Sequence, residues 1–146
     1  NNVMIDEQTD EAVCVIDLDT VMPGLALYDF GDLIRGATSP VAEDEPDTSK
    51  VEMRLPMFEA IVEGYLETAA SFLTPLEIDL LPFSAKLISL ETGIRFLTDY
   101  LEGDKYFRIH RDNHNLDRCK TQLALVKSIE DQEDKMLNFV KKWHRA

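Results

Sequence analysis

At 146 residues, with 45% hydrophobic and 29% charged, the chain can bury a real core and does not have the composition of a disordered protein. Fifteen Lys and Arg against 28 Asp and Glu give a net charge of -13 at pH 7, a field that repels nucleic acid. No apolar run approaches the roughly 18 residues of a membrane span, and no secretory signal region is present. Cys14 and Cys119 form no C-x-x-C pair, which leaves zinc and dithiol chemistry unsupported and points to a reducing, cytoplasmic setting. The first residues, Asn1-Asn2-Val3-Met4-Ile5, read as the interior of a strand, so a truncated chain is expected.

In chain order, Val3 to Ile5 and residues 12–16 are short runs rich in β-branched side chains, separated by a polar stretch. They predict a β-hairpin with a longer loop and a buried Cys14. Residues 17–24 form a loop, and 25–35 a short helix with Leu27, Phe30, Leu33 and Ile34 on one face. Residues 36–50 read as a loop whose acidic stretch, 43–47, is solvated. Val51, Met53 and Leu55 suggest an extended lead-in to a helix opened by Pro56, with Phe58, Ile61, Val62, Tyr65, Leu66 and Ala69 at helical spacing. Thr74-Pro75-Leu76-Glu77 is a capping box. Pro82 is expected to break or kink the helical pattern around it. A long, largely buried helix over 83–101 shows the stripe Leu87, Leu90, Ile94, Leu97 and Leu101. A last helix spans about 113–143, with Leu116, Leu123, Val126, Ile129, Met136, Leu137 and Val140 as its apolar face. The expected fold is α+β, mainly α: a short β-hairpin packed on a helical bundle, in a single domain over 1–146.

Two groups of residues could carry chemistry. Antiparallel pairing brings together Asn2, which opens the first strand, and Asp17, which closes the second. An amide oxygen beside a carboxylate suits a hard cation such as magnesium, although Asn and Asp at strand ends also serve as turn formers. Asp19 is either a further ligand or a brace for the loop, and Thr20 could help in the same way. Arg95, in a helix read as buried, needs partners. Its forked donors suit sugar hydroxyls or a carboxylate, and on the residues alone a structural bridge to Asp99 at i+4 is the favoured explanation. Asp32 and Arg35 are further candidates, or an i, i+3 ion pair. The segment Arg108-Ile109-His110-Arg111 either meets a phosphate or offsets nearby acids. His114 and His144 form no metal-spaced pair.

Asn1-Asn2-Val3-Met4-Ile5-Asp6, Val13-Cys14-Val15-Ile16-Asp17-Leu18-Asp19-Thr20-Val21, Gly24 and Tyr28-Asp29-Phe30-Gly31-Asp32 together resemble the aminoglycoside phosphotransferase and choline kinase superfamily. The sequence is most similar there to N-acetylhexosamine 1-kinases, and residues 93–101 with 103–107 extend the likeness. The resemblance implies the C-terminal lobe of a protein kinase-like fold that uses ATP and Mg2+, with a nucleotide and a small-molecule sugar as partners. It maps the magnesium ligands onto Asn2 and Asp17, and sugar contacts onto Arg95 and Tyr106. It places the catalytic Asp five positions before Asn2, outside this sequence, together with an N-terminal lobe, so the isolated chain is expected to be inactive. Acceptors such as aminoglycosides, choline or homoserine are compatible with the same fold. A non-catalytic helical interaction domain, with Asn2 and Asp17 as turn residues, is the reading from another class. The literal Asp29-Phe30-Gly31 matches the metal-binding tripeptide of protein kinases but falls within a helix. Asp29 therefore reads as a buried hydrogen-bonding carboxylate, and Asp17 keeps the metal role.

Overall fold

Two strands and six helices account for most of residues 2–145, which are those described by the structure, a computed structural model. The side chains of Thr20, His144 and Arg145 lie outside the described set, so the roles considered for Thr20 and His144 have no structural counterpart. Strand β1 (Val3–Ile5) pairs antiparallel with β2 (Ala12–Val15), Val3 opposite Val15 and Met4 opposite Cys14, with an irregularity after Met4. The Asp6 carboxylate organises the connection by accepting the Gln8 and Thr9 amides. Every hairpin residue is exposed, and Cys14, expected to be buried, is exposed too. An apolar run records strand propensity but does not say whether a second layer covers the strand.

A 3-10 turn (Leu18–Thr20) leads to α1 (Ala26–Ala37), and a second one (Thr48–Lys50) precedes α2 (Leu55–Ala69). Pro56 sits in the first turn of α2, where its missing N–H costs nothing. Phe58, Val62, Leu66 and Ala69 are buried, as their spacing indicates. The capping box forms as expected at the start of α3 (Pro75–Asp79). The Thr74 hydroxyl accepts the Glu77 amide, and the Glu77 carboxylate accepts the Thr74 amide at 2.7 Å. Pro82 does not break the next helix. It stands in the first turn of α4 (Leu81–Leu101), a position that tolerates proline.

The face that α4 buries is not the leucine stripe. Leu87, Leu90, Ile94, Leu97 and Leu101 are all exposed, while Ser84, Ala85, Ile88, Ser89, Gly93 and Phe96 turn inward. Small side chains let α4 approach its neighbours closely, and its main packing partners are α1 and α5 (His114–Glu130). A Cβ on Gly31 of α1 would stand 2.6 Å from both the Ser84 carbonyl oxygen and Ile88 Cγ1. A Cβ on Gly93 would stand 3.1 Å from Gln122 Cβ on α5. Phe30, beside Gly31, is fully buried against Phe58 and Tyr65 with ring centroids 6.4 and 5.1 Å away.

The final helix is also two helices, α5 and α6 (Glu133–Val140), followed by a 3-10 segment (Lys141–Arg145). At the break, Gln132 donates to the Met53 carbonyl oxygen at 2.7 Å and to Ser128. Leu123 of the expected stripe is exposed, whereas Leu125 and Ile129 join Met136 and Val140 in the core with Phe30, Ile34, Phe58 and Leu81. Among the described residues, no helix is long and apolar enough to cross a membrane.

The contact at Gly31 yields a direct expectation. Gly31→Ala should lower unfolding free energy by about 1–3 kcal/mol in urea titration through overpacking against the α4 backbone. Gly64→Ala in α2, where an added Cβ meets nothing within 4 Å, should instead be neutral or stabilise by up to about 1 kcal/mol.

Candidate functional site

Asn2 and Asp17 both stand at the open end of the hairpin: the Ile16 amide donates to the Asn2 carbonyl oxygen at 2.9 Å, and Asp17 comes directly after. Asp17 adopts the left-handed backbone region (φ 63°, ψ 53°), which Asp tolerates better than most residues. It precedes the 3-10 turn without capping it through its side chain, so the carboxylate is left exposed and unspent. Asp19 lies within that turn and is exposed. Among the described residues, no group of three or more His, Cys, Asp or Glu is arranged around one point. The donor set here is an amide oxygen and carboxylates on one edge. That chemistry fits magnesium, which binds through one or two protein oxygens, waters and phosphate oxygens rather than in an all-protein cage.

A second constellation is built by Asp99. Its side chain is buried, and its two oxygens accept the backbone amides of Lys105, Tyr106 and Phe107 at 2.9, 2.7 and 2.9 Å. The Asn115 side chain adds a fourth donor at 2.9 Å and also bridges to Asp104. Burial opposes ionisation, but the amides of Phe107, Tyr106 and Lys105, with Asn115, outweigh it and hold the Asp99 carboxyl below its ordinary range. The carboxylate thus folds residues 103–107 into a turn, with Gly103 and Asp104 at positive φ.

That turn sets Phe107 between the two residues carried over for sugar contact. The Arg95 guanidinium lies over the Phe107 ring at 5.5 Å, and the Tyr106 ring meets Phe107 edge-on at 4.8 Å. Arg95 is therefore exposed, not buried, and the i+4 bridge to Asp99 does not form because Asp99 is committed to the turn. Arg95, Tyr106, Phe107 and Asp99 line an open concavity of about 440 Å³. Arg95 also borders two neighbouring concavities, of about 370 and 280 Å³, both reaching Asp32. The smaller of these includes Tyr28 and Asp29, which in turn border a hollow formed by Val21–Ala26. Shared residues thus connect the loop after Asp17, along α1, to Arg95 and Tyr106. None of the residues lining these four concavities belongs to the hairpin or to Asp17 and Asp19.

Residues 1–74 match the model of the phosphotransferase enzyme family. The chain belongs to this family. The matched region takes in the hairpin, the turn after Asp17, α1 and α2, and ends at the cap of α3. Membership makes the chain kinase-like, and kinases of this family use ATP and typically a divalent metal. Arg95, Tyr106 and Asp99 lie beyond the matched residues.

Within this phosphotransferase, Asp29-Phe30-Gly31 has a packing role: Phe30 fills the core, Gly31 admits α4, and Asp29 is exposed in the first turn of α1 rather than buried. Asp32 and Arg35 form the i, i+3 pair at 2.8 Å, and Arg35 reaches further, to Glu43 at 2.5 Å. The acidic stretch after α1 is consequently not a freely solvated loop. His114 and Arg111 hold Asp44, Arg118 approaches Glu43 at 3.7 Å, and Thr121 donates to the Glu45 carbonyl oxygen. Arg111 also pairs with Asp117, which satisfies the charge-offset reading for this member of the basic segment. Asp99 entered the sequence reading only as a bridge partner for Arg95, and its part in folding the turn was missed. Its only signal was an acid one turn after Arg95 and just before a Gly-Asp turn.

Asp99→Asn should strip hydrogen-exchange protection from the amides of Tyr106 and Phe107 while leaving α2 protected. Because the folded Asp99 carboxyl titrates below its unfolded-state value, its contribution is complete above about pH 3.9 and is lost as the pH falls through the lower folded value. The wild-type acid-unfolding limb should accordingly flatten in Asp99→Asn, as followed by circular dichroism.

Proposed function

We propose that the chain is the C-terminal part of an ATP-dependent small-molecule kinase that phosphorylates the anomeric hydroxyl of an N-acetylhexosamine. The observation that carries this reading is the meeting of Arg95 and Tyr106 across Phe107 in an open concavity. The connection of that concavity along α1 to the loop after Asp17 adds support. Asn2 and Asp17 are the magnesium ligands, and Asp19 is a third oxygen donor or braces the turn. Bound there, the ion neutralises charge that develops on the transferred phosphoryl group. Arg95 donates from its fork to sugar hydroxyls while its guanidinium lies over the Phe107 ring. Tyr106, 76% exposed in the free chain, offers both a ring face and a hydroxyl to a pyranose. Asp32, joined to Arg35, presents a carboxylate acceptor on the same side. The catalytic Asp and the nucleotide-covering lobe precede Asn2, and the protein acts where ATP and reduced thiols are found, in the cytoplasm.

A cationic acceptor is the second reading, favoured by Asp29, Asp32 and Glu91 around one of the linked concavities. Phosphate transfer from ATP and magnesium, measured on the protein extended upstream of Asn1 across N-acetylhexosamines, aminoglycosides, choline and homoserine, separates the two. The expected result is transfer to an N-acetylhexosamine, lowered about 100- to 1,000-fold in Asp17→Ala, the scale for removing one electrostatic stabiliser. Arg95→Ala should raise KM about 10- to 100-fold with a smaller change in kcat, as for a lost charged hydrogen bond. Transfer only to cationic acceptors would replace the sugar. A folded protein that binds no nucleotide and phosphorylates nothing would leave the interaction-domain reading standing.

A further inference from the structure

Four arginines, Arg35, Arg95, Arg108 and Arg118, line the concavity of about 370 Å³ against two carboxylates, Asp32 and Glu43. That is a local excess of positive charge in a chain of net charge -13. Contacts hold the group around one aromatic wall. The Phe96 and Phe107 rings meet at 4.7 Å, and both border the concavity. The Arg118 guanidinium lies over Phe96 at 5.3 Å and that of Arg95 over Phe107 at 5.5 Å. Glu43 ties Arg118 to Arg35, with one oxygen 2.5 Å from Arg35 Nη1 and the other 3.7 Å from Arg118 Nε. The Arg108 carbonyl oxygen accepts Arg118 Nη1 at 3.3 Å, which sets Arg108 beside it.

Much of this donor capacity is unspent and reachable from solvent. Arg35 uses Nε on Asp32 and Nη1 on Glu43, and Arg118 uses Nη1 on Arg108 and Asn115, so Nη2 of each has no hydrogen bond. Neither Nη2 is buried: among the described residues, the buried side-chain nitrogens and oxygens without a hydrogen bond are Arg118 Nε and Gln122 Oε1. The Arg95 and Arg108 side chains are exposed and make no hydrogen bond or ion pair among the described residues. Guanidinium forks match anions that offer several oxygens at once. The two carboxylates offset two of the four positive charges. What remains matches a phosphate monoester, which carries about -1.5 to -2 at pH 7, better than a single carboxylate.

We propose that this concavity is a phosphate subsite, which takes the phosphate group of a small phosphate monoester through Arg95, Arg108 and the Nη2 atoms of Arg35 and Arg118. Arg95 and Phe107 also border the concavity of Tyr106, so the carbon frame of the ester has adjoining space to enter. The subsite does not depend on the sugar-kinase reading, because its donors belong to this chain and need neither nucleotide nor magnesium.

Calorimetry and protein-observed NMR of the 146-residue chain with inorganic phosphate, glucose 6-phosphate and D-glucose test the proposal. Saturable binding of glucose 6-phosphate is expected, with none of D-glucose over the same concentrations. Arg108→Gln removes a side chain with no partner in the fold and should weaken binding about tenfold or more. Arg118→Gln should do the same, with thermal unfolding to show that the variant is folded. Lys127→Gln, near the end of α5 and outside the concavity, should leave the affinity unchanged. Inorganic phosphate bound as tightly as the ester would support the subsite with the free anion as sufficient ligand, and a preference for the ester would support it with the carbon frame engaged. No saturable binding of either phosphate by the folded wild-type chain overturns the proposal. Binding that survives both arginine substitutions, equal binding of D-glucose, or an equal loss in Lys127→Gln overturns it as well.

Discussion

The near-contact of α1 with α4 at Gly31 is the constraint on which the other elements depend. With only hydrogen on that Cα, the Ser84 backbone lies where a methyl group would otherwise stand. The same close approach lets Phe30 reach the Phe58 and Tyr65 rings and brings Asp32 and Arg35 to the side of α4 that carries Arg95. On the α5 side, Gly93 does the equivalent service for Gln122. Close packing of this kind gains dispersion energy over many small contacts, and it loses them abruptly when one atom is added.

The candidate acceptor side is assembled from charges that have been given other work. Asp99 spends its carboxylate on backbone amides to form a turn, which frees Arg95 to lie across Phe107. Glu43 and Asp44 are drawn onto the bundle by Arg35, Arg111, Arg118 and His114. The His114 ring shows how specific this is: its Nε2 faces Asp44 at 3.0 Å, while its Nδ1 accepts the His110 amide at 3.1 Å. In a chain of net charge -13, Arg35, Arg111 and Arg118 with His114 thus fasten one acidic segment.

What could be read from the sequence was local. The capping box at Thr74, Pro56 in a first helical turn, the hairpin and the face of α2 each depend on residues a few positions apart, and each stands as expected. The inner face of α4 was not legible because hydrophobicity marked the leucines, whereas the helix buries its small side chains to approach α1 and α5. The break before α6 rests on Gln132 reaching Met53, 79 positions away, and no helix breaker announces it. Asp29 was set aside as a metal ligand because it falls within a helix, but it was expected to be buried and is exposed; only the position of Gly31 against α4 reveals what the segment does. For the candidate site, the adjacency of Asn2 and Asp17 came from the strand pattern, whereas the meeting of Arg95 with Tyr106 needed the turn that Asp99 folds.

The hairpin buries none of its residues, so it is held by its own ladder and turn rather than by the core. It should behave as a separate cooperative unit that opens at lower free energy than the bundle. The spacing between Asn2 and Asp17 is set within that unit, by the bond from Ile16 to Asn2. Fluctuations that carry the hairpin away from the helices therefore move both residues together and preserve the distance between them. The geometry of this pair is insulated from mutations that loosen the core, whereas its position relative to Arg95 is not.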